Sequence, residues 1–191
     1  RPGWKKAIVE LRPGDTIGLF NPSGAVYEAE PYEKTHETLQ ALGFGVREAP
    51  HLRARYGHMA GTPQQRAADI HTLIQDPQVA GLLAVPGGSG ANRVLPHLDF
   101  DLIRQHPKFI GGFSDLTALL TAVQVRTGVV SFHSPLGRSD WNAFSVAQFK
   151  AVVMEGLAHT LRNERATADD LASRDWLTRA LRGGRATGPL V

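Results

Sequence analysis

The stretch Lys108-Phe-Ile-Gly-Gly-Phe-Ser-Asp-Leu-Thr-Ala-Leu-Leu-Thr-Ala-Val123 decides how the chain is organised. Its apolar run, Phe109 and Ile110, passes through two glycines into Phe113-Ser114-Asp115, and a helical pattern begins at once. Leu116, Leu119, Leu120 and Val123 recur at i, i+3, i+4 and i+7, the buried stripe of a helix. A serine at a sharp strand-to-helix turn has its Oγ lifted off the sheet edge, beside the free N–H groups of the helix's first turn. That is the geometry of a nucleophile elbow, although Leu116-Thr117 stand where a second glycine usually follows the serine. On these residues alone Ser114 is either a nucleophile or, with Asp115, no more than a helix cap.

On both sides of this stretch strands and helices alternate. Asp15 to Phe20 reads as a buried strand ended by Asn21-Pro22-Ser23-Gly24, and Tyr27 to Leu42 as a helix stopped by Gly43. Gly45 to Ala49 is a second strand, and His51 to Gly61 a loop. Thr62-Pro63 is a strong helix start, with Ala67, Ile70, Leu73 and Ile74 as the apolar face and Asp76-Pro77 as the stop. Val79 to Val85 is continuously apolar, as a parallel strand covered on both faces would be, and ends in Pro86-Gly87-Gly88-Ser89-Gly90. Helical pieces at Ala91 to Leu95 and Leu98 to Arg104 follow. Beyond the elbow helix, which Gly128 closes, come a strand at Val129 to Phe132, the loop His133 to Gly137, and a helix over Val146 to Leu157. Thr160 to Arg165 reads as an edge strand, Ala168 to Leu181 as a short helix or turn, and Gly183 to Gly188 as linker-like. Repeated βαβ units predict an α/β fold, a parallel, flavodoxin-like three-layer sheet with helices on both faces.

Composition narrows the function. The chain of 191 residues has no cysteine, which excludes disulfides, thiolate metal sites and a cysteine nucleophile, and fits a cytoplasmic location. No His-Glu-x-x-His or similar spacing points to a metal, and no apolar run is long enough to span a membrane. Residues Arg1 to Arg12 contain no secretory h-region. The net charge is +3, but bases and acids alternate, as around Glu30, Glu33, Lys34 and Glu37. A solvated mixed surface is therefore expected rather than a nucleic-acid face.

In a parallel sheet, ligands sit beyond the carboxyl ends of the strands. The segments there are Asn21 to Gly24, Pro86 to Gly90, Ser114-Asp115 and His133 to Gly137, a rim rich in glycine and small hydroxyls. Gly87-Gly88-Ser89-Gly90 offers bare N–H groups but has neither dinucleotide nor P-loop spacing. It is either an oxyanion-binding loop or a turn that tightens a strand–helix join. A serine nucleophile needs a base. His133, on the next rim loop, is the nearest candidate along the chain, with a role in lining the site or as that base. His36, His58, His71, His97, His106 and His159 are expected at the surface.

Val85-Pro-Gly-Gly-Ser-Gly-Ala-Asn-Arg-Val-Leu-Pro-His-Leu-Asp-Phe-Asp101, Pro107-Lys108, Gly112-Phe-Ser-Asp-Leu-Thr-Ala-Leu-Leu120 and Phe132-His-Ser-Pro135 strongly resemble the LD-carboxypeptidase family of serine peptidases. Asn21-Pro22-Ser23 resembles that family's first rim loop. The resemblance runs in order over nearly the whole chain. It implies a cytoplasmic bacterial enzyme that releases a terminal D-amino acid, D-alanine, from murein tetrapeptides during cell-wall recycling. A sister branch, the microcin-immunity peptidases, cleaves an amide in a peptide-nucleotide antibiotic. The implied mechanism is acyl transfer by a Ser-His-Glu triad with no metal and no cofactor. By the match Ser114 is the nucleophile and the backbone N–H groups of Gly88 and Asp115 form the oxyanion hole. Ser23, Gly87, Ser89 and His133 are the expected substrate-binding residues. The partner is a murein peptide or related peptide, and the resemblance implies a homodimer, with neither nucleic acid nor membrane.

The chain departs from the family in three places. Pro86 and Ser89 replace an arginine and a tyrosine common in the glycine loop, and Ser134 stands where glycine is usual. The family's triad glutamate and histidine belong to a C-terminal domain. The expectation is thus an N-terminal nucleophile domain over 1–185, with 186–191 starting a linker to a domain absent from this chain. Such a fragment is expected to be inactive or nearly so. A non-catalytic peptide-binding domain is the alternative from another class.

Overall fold

The computed structural model describes residues 10–157. Within them β1 (Thr16–Phe20), β2 (Gly45–Glu48), β3 (Val79–Ala84), β4 (Phe109–Gly112) and β5 (Phe132–His133) pair in parallel in the order β2-β1-β3-β4-β5. This 2-1-3-4-5 order is that of flavodoxin-like doubly wound sheets, as expected. β3 has neighbours on both sides and is buried along nearly its whole length, which is what its uninterrupted apolar run requires.

The helices are α1 (Glu30–Ala41), α2 (Pro63–Gln75), α3 (Phe100–Gln105), α4 (Thr117–Thr127) and α5 (Ala143–Phe149). α2 begins with a complete capping box: the Gln65 N–H donates to Thr62 Oγ1 at 3.2 Å and the Thr62 N–H to Gln65 Oε1 at 2.9 Å. Its predicted face, Ala67, Ile70, Leu73 and Ile74, is buried. Gly18 lets α2 lie directly on β1, since a Cβ there would sit 2.8 Å from Leu73 Cδ2. α2 packs beside α3 and α3 beside α4, the side-by-side arrangement on one face that right-handed crossovers give. On the other, Phe149 of α5 meets Phe44 and Phe109 edge-on, with centroids 6.5 and 5.8 Å apart.

Several boundaries differ from expectation for local reasons. α1 starts at Glu30 rather than near Tyr27, because Pro31 has no N–H and fits only a helix's first turn. α3 starts at Phe100, where Asp99 Oδ1 accepts the N–H groups of Asp101 and Leu102 at 3.0 and 2.9 Å. The strand expected over Val129 to Phe132 is shifted to Phe132–His133. The earlier residues instead close the end of α4: the Val129 N–H donates to Thr127 Oγ1 and Ser131 Oγ to the Leu120 carbonyl. The last helix starts at Ala143, capped by Asn142, and widens over Lys150–Met154 into i→i+5 bonding, with the Glu155 N–H on the Lys150 carbonyl at 3.0 Å. The elements expected at Thr160 to Arg165 and Ala168 to Leu181, the linker at Gly183 to Gly188, His159 and the proposed boundary at 185 lie outside the described residues.

Candidate active site

Parallel pairing brings the segments after β1, β3, β4 and β5 to one edge of the sheet, where the elbow after β4 lies between the loops that follow β3 and β5. β4 ends at Gly112, whose φ of +146° and a would-be Cβ only 2.3 Å from Leu116 Cδ2 admit glycine alone without strain. Phe113 is extended, and Ser114 turns back with φ +65°, the single non-glycine residue with positive φ among the described residues. That conformation costs an L-residue about 1–2 kcal/mol and persists where its surroundings impose it. A 3₁₀ turn over Ser114–Leu116 leads into α4, so the helix does not start at once as its periodicity suggests. Leu116, Leu119, Leu120 and Val123 are buried as predicted, while Ser114 is exposed.

Gly87 lies opposite: a Cβ there would stand 3.3 Å from Ser114 Cβ and 3.4 Å from Ser114 Oγ. Gly87, Gly88, Ser114, Phe113, Leu136 and Arg138 line a cleft of about 500 Å³. The Gly88 and Asp115 N–H groups enter no hydrogen bond among the described residues. Once a base takes its proton, an exposed hydroxyl beside uncommitted backbone donors can attack a carbonyl carbon and have the resulting oxyanion stabilised. A larger apolar groove of about 690 Å³ between α3 and α4, lined by Phe100, Ala118 and Val125, contains no such combination.

Three rim loops are tied together behind the cleft. Asp115 Oδ2 accepts from Ser23 Oγ at 2.7 Å and from the Ala91 N–H at 2.8 Å. Asn21 Oδ1 accepts the Ser23 N–H at 3.0 Å, and Asn21 Nδ2 donates to the Gly24 carbonyl at 2.9 Å, which folds the first loop on itself. Arg66, 1% exposed, reaches up from α2 and donates through Nη1 to the Pro22 and Gly90 carbonyls. Burial lowers the Arg66 pKa, and the nearby Asp115 carboxylate opposes that shift.

The structure therefore brings Ser114, Asp115, Gly87 and Gly88 together. Ser23 is fully buried and its hydroxyl is committed to Asp115, so it touches the site through that carboxylate and not the cleft itself. Ser89 is exposed at the loop tip and lines no part of the cleft. His133 is exposed, its ring centroid 5.9 Å from that of Phe113, and it lines a shallow neighbouring depression. No histidine among the described residues hydrogen-bonds Ser114. Ser134 is buried, donating through its N–H to the Gly112 carbonyl and through Oγ to the Pro135 carbonyl. His71 is not a plain surface residue: burial lowers its pKa, and its Nε2 accepts the Asp99 N–H. Among the described residues no group of His, Asp or Glu could hold a metal ion, and no helix is long and apolar enough to cross a membrane.

Arg66 and Arg138 were not legible as site residues. Arg66 does leave a trace, since it shares the buried stripe of α2 with Ile70 and Leu73, an unusual place for a charge without a structural partner. Arg138 leaves none.

Known proteins are similar to this chain in sequence and in fold. A probable murein peptide carboxypeptidase of Bacillus subtilis is 35% identical over 154 residues, 76% of this chain and 47% of the relative. The microcin C7 self-immunity protein MccF of Escherichia coli is 34% identical over 127 residues, 65% of this chain and 37% of the relative. The structure of MccF in complex with glutamyl sulfamoyl guanosine superposes with a TM-score of 0.74 at 28% identity, covering 81% of this chain and 50% of that one. The chain thus spans half or less of the length of these relatives. The model of the LD-carboxypeptidase N-terminal domain matches residues 17–134, from β1 through the elbow to the start of the last rim loop, and the chain belongs to the LD-carboxypeptidase family.

Proposed function

We propose that this chain supplies the nucleophile half of a serine LD-carboxypeptidase, which releases the terminal D-alanine of a murein tetrapeptide by acyl transfer. The observation that carries this is Ser114, exposed and held at φ +65° across from Gly87 in a cleft that Gly88 also lines. Ser114 Oγ attacks the carbonyl carbon of the L,D-peptide bond as a base takes its proton, and the Gly88 and Asp115 N–H groups receive the charge that develops on the carbonyl oxygen. The C–N bond then breaks as the proton passes to the departing D-alanine amine. Where such a donor has been removed from a serine enzyme, the loss is about 2.7–4 kcal/mol of transition-state stabilisation. Ser23 holds Asp115 in place, while Ser89 at the glycine-loop tip and His133 in the neighbouring depression meet parts of the peptide that extend beyond the cleft. The base and its orienting glutamate belong, by the family resemblance, to a C-terminal domain. The same resemblance is the ground for a cytoplasmic role in cell-wall recycling and for a homodimer.

The test is D-alanine release from a murein tetrapeptide by the full-length protein and by its Ser114→Ala variant. The variant is expected to lose activity by about 10³-fold or more. Undiminished release would show that Ser114 is not the nucleophile and would favour a binding role. The similarity to MccF in sequence and fold supports a second reading, an amidase acting on a peptide-nucleotide. Parallel assays with an aminoacyl-nucleotide amide separate the two.

A further inference from the structure

We propose that Arg138 is the receptor for the terminal carboxylate of the substrate, the group that confines the Ser114 cleft to the last residue of a peptide. This rests on the carboxypeptidase reading and adds the element it lacks. An activated hydroxyl with oxyanion donors can be acylated by any exposed carbonyl. A carboxypeptidase must also read the free carboxylate next to the bond it cuts. Arg138 lines the same cleft as Ser114, Gly87 and Gly88.

Its backbone is tightly placed. The Gly137 N–H donates to the Ala84 carbonyl at 2.9 Å and the Arg138 N–H to the Val85 carbonyl at 3.2 Å, so both hang from the end of β3 that leads into the glycine loop. The Leu136 N–H donates to Ser139 Oγ at 3.1 Å, and the Ser139 N–H to the Leu136 carbonyl at 3.0 Å, which closes the turn. Gly137 packs so closely on Thr35 that a Cβ would come within 2.5 Å of Thr35 Cγ2. The side chain thus starts from a fixed point.

The guanidinium itself is uncommitted. Among the described residues Arg12, Arg47, Arg53 and Arg104 pair with carboxylates, Arg55 and Arg126 lie over aromatic rings, and Arg66 bonds carbonyls. Arg138 has none of these contacts; Arg93 also has none, but it does not line the cleft. Asp140, which also lines the cleft, pairs through Oδ1 with Lys34 Nζ at 2.6 Å and not with Arg138, and Asp115 Oδ2 is taken by Ser23 and Ala91. A substrate carboxylate therefore meets a free planar donor suited to bidentate binding.

The test compares a murein tetrapeptide as free acid and as C-terminal amide, with the wild-type protein, Arg138→Ala and Arg138→Lys. Binding of both peptides is also measured on each variant in a Ser114→Ala background. The wild-type preference for the acid is expected to fall about 10- to 100-fold in Arg138→Ala, mainly through KM, with Arg138→Lys between them. Thermal unfolding of Arg138→Ala should match wild type, since no partner is lost. An acid preference that survives Arg138→Ala, in hydrolysis or in binding, overturns the proposal while D-alanine release keeps the carboxypeptidase reading. Arg138-dependent binding of the acid without D-alanine release upholds the carboxylate site and removes that reading. A larger effect of Arg138→Ala on an aminoacyl-nucleotide amide than on the acid overturns the proposal in favour of phosphate recognition.

Discussion

Ser23 Oγ donates to Asp115 Oδ2 at 2.7 Å, joining two rim loops that are 92 residues apart in sequence. The same oxygen accepts the Ala91 N–H, so the residue after the elbow serine is anchored both to the first rim loop and to the start of the helix beyond the glycine loop. Arg66 lies beneath and bonds the carbonyls of two of these loops. The position of Ser114 relative to Gly87 and Gly88 therefore depends on side chains that never enter the cleft.

Asp115→Ala should destabilise the fold by about 1–3 kcal/mol for each buried donor left without an acceptor, here the Ser23 hydroxyl and the Ala91 N–H. Asp115→Asn, which retains an acceptor oxygen, should lose less. Urea unfolding of the three proteins checks this, and wild-type stability in the alanine variant would show that the latch carries no energy.

The φ of +65° at Ser114 predicts a separation of stability from reactivity. Ser114→Gly should gain up to about 1 kcal/mol over Ser114→Ala, because only glycine occupies that region without a Cβ penalty. In the full-length protein the wild-type hydroxyl should react with a fluorophosphonate and neither variant should. A glycine variant less stable than the alanine variant would contradict strain at this turn.

Two glycines should respond differently to alanine. At Gly112 both the positive φ and the 2.3 Å approach to Leu116 Cδ2 oppose a side chain, so Gly112→Ala should cost about 2–4 kcal/mol in urea unfolding. At Gly87 the nearest atoms, in the Ser114 and Leu136 side chains, are 3.3–3.4 Å away, a far smaller overlap that shifts of a few tenths of an ångström would relieve, but the methyl group faces Ser114. Gly87→Ala should keep near-native stability and lose about 10-fold or more in kcat/KM. Equal effects at the two positions in either assay would refute the distinction.

His71 Nε2 accepts the Asp99 N–H at 2.9 Å, which only the imidazole without a proton on that nitrogen can do. Burial lowers its pKa, and the nearby Asp99 carboxylate only partly opposes this. With the folded pKa below the unfolded one, the unfolded chain takes up the proton first as pH falls. The contribution is complete above about pH 6.5 and is lost as pH drops through the folded pKa. His71→Gln, which can still accept the bond, should flatten that part of the profile of Tm between pH 8 and 5. An unchanged slope would assign the dependence to other groups.

Much of the architecture was readable because its causes act over a few residues. Thr62, Pro63 and Gln65 start α2, Gly128 ends α4 in a left-handed cap, and the apolar run from Val79 marks a strand covered on both faces. β5 was misplaced by three residues at its start because Thr127 Oγ1 and the Leu120 carbonyl engage Val129 and Ser131, and pairing with Gly111 and Gly112 then selects Phe132 and His133. The widened turn over Lys150–Met154 likewise has no signature in periodicity.

Sequence by itself determined the parallel α/β order, the rim of loops at the carboxyl ends of the strands and the family, since periodicity, capping and motif spacing are properties of neighbours along the chain. Only the tertiary structure decided that Ser23 is a buried tie to Asp115, that Arg66 braces the loops from below, that His133 stands against Phe113, and that Arg138 shares the cleft with Ser114. Those relations join segments far apart in the chain, and which of them meet is settled by strand order and by the packing of helices on the sheet.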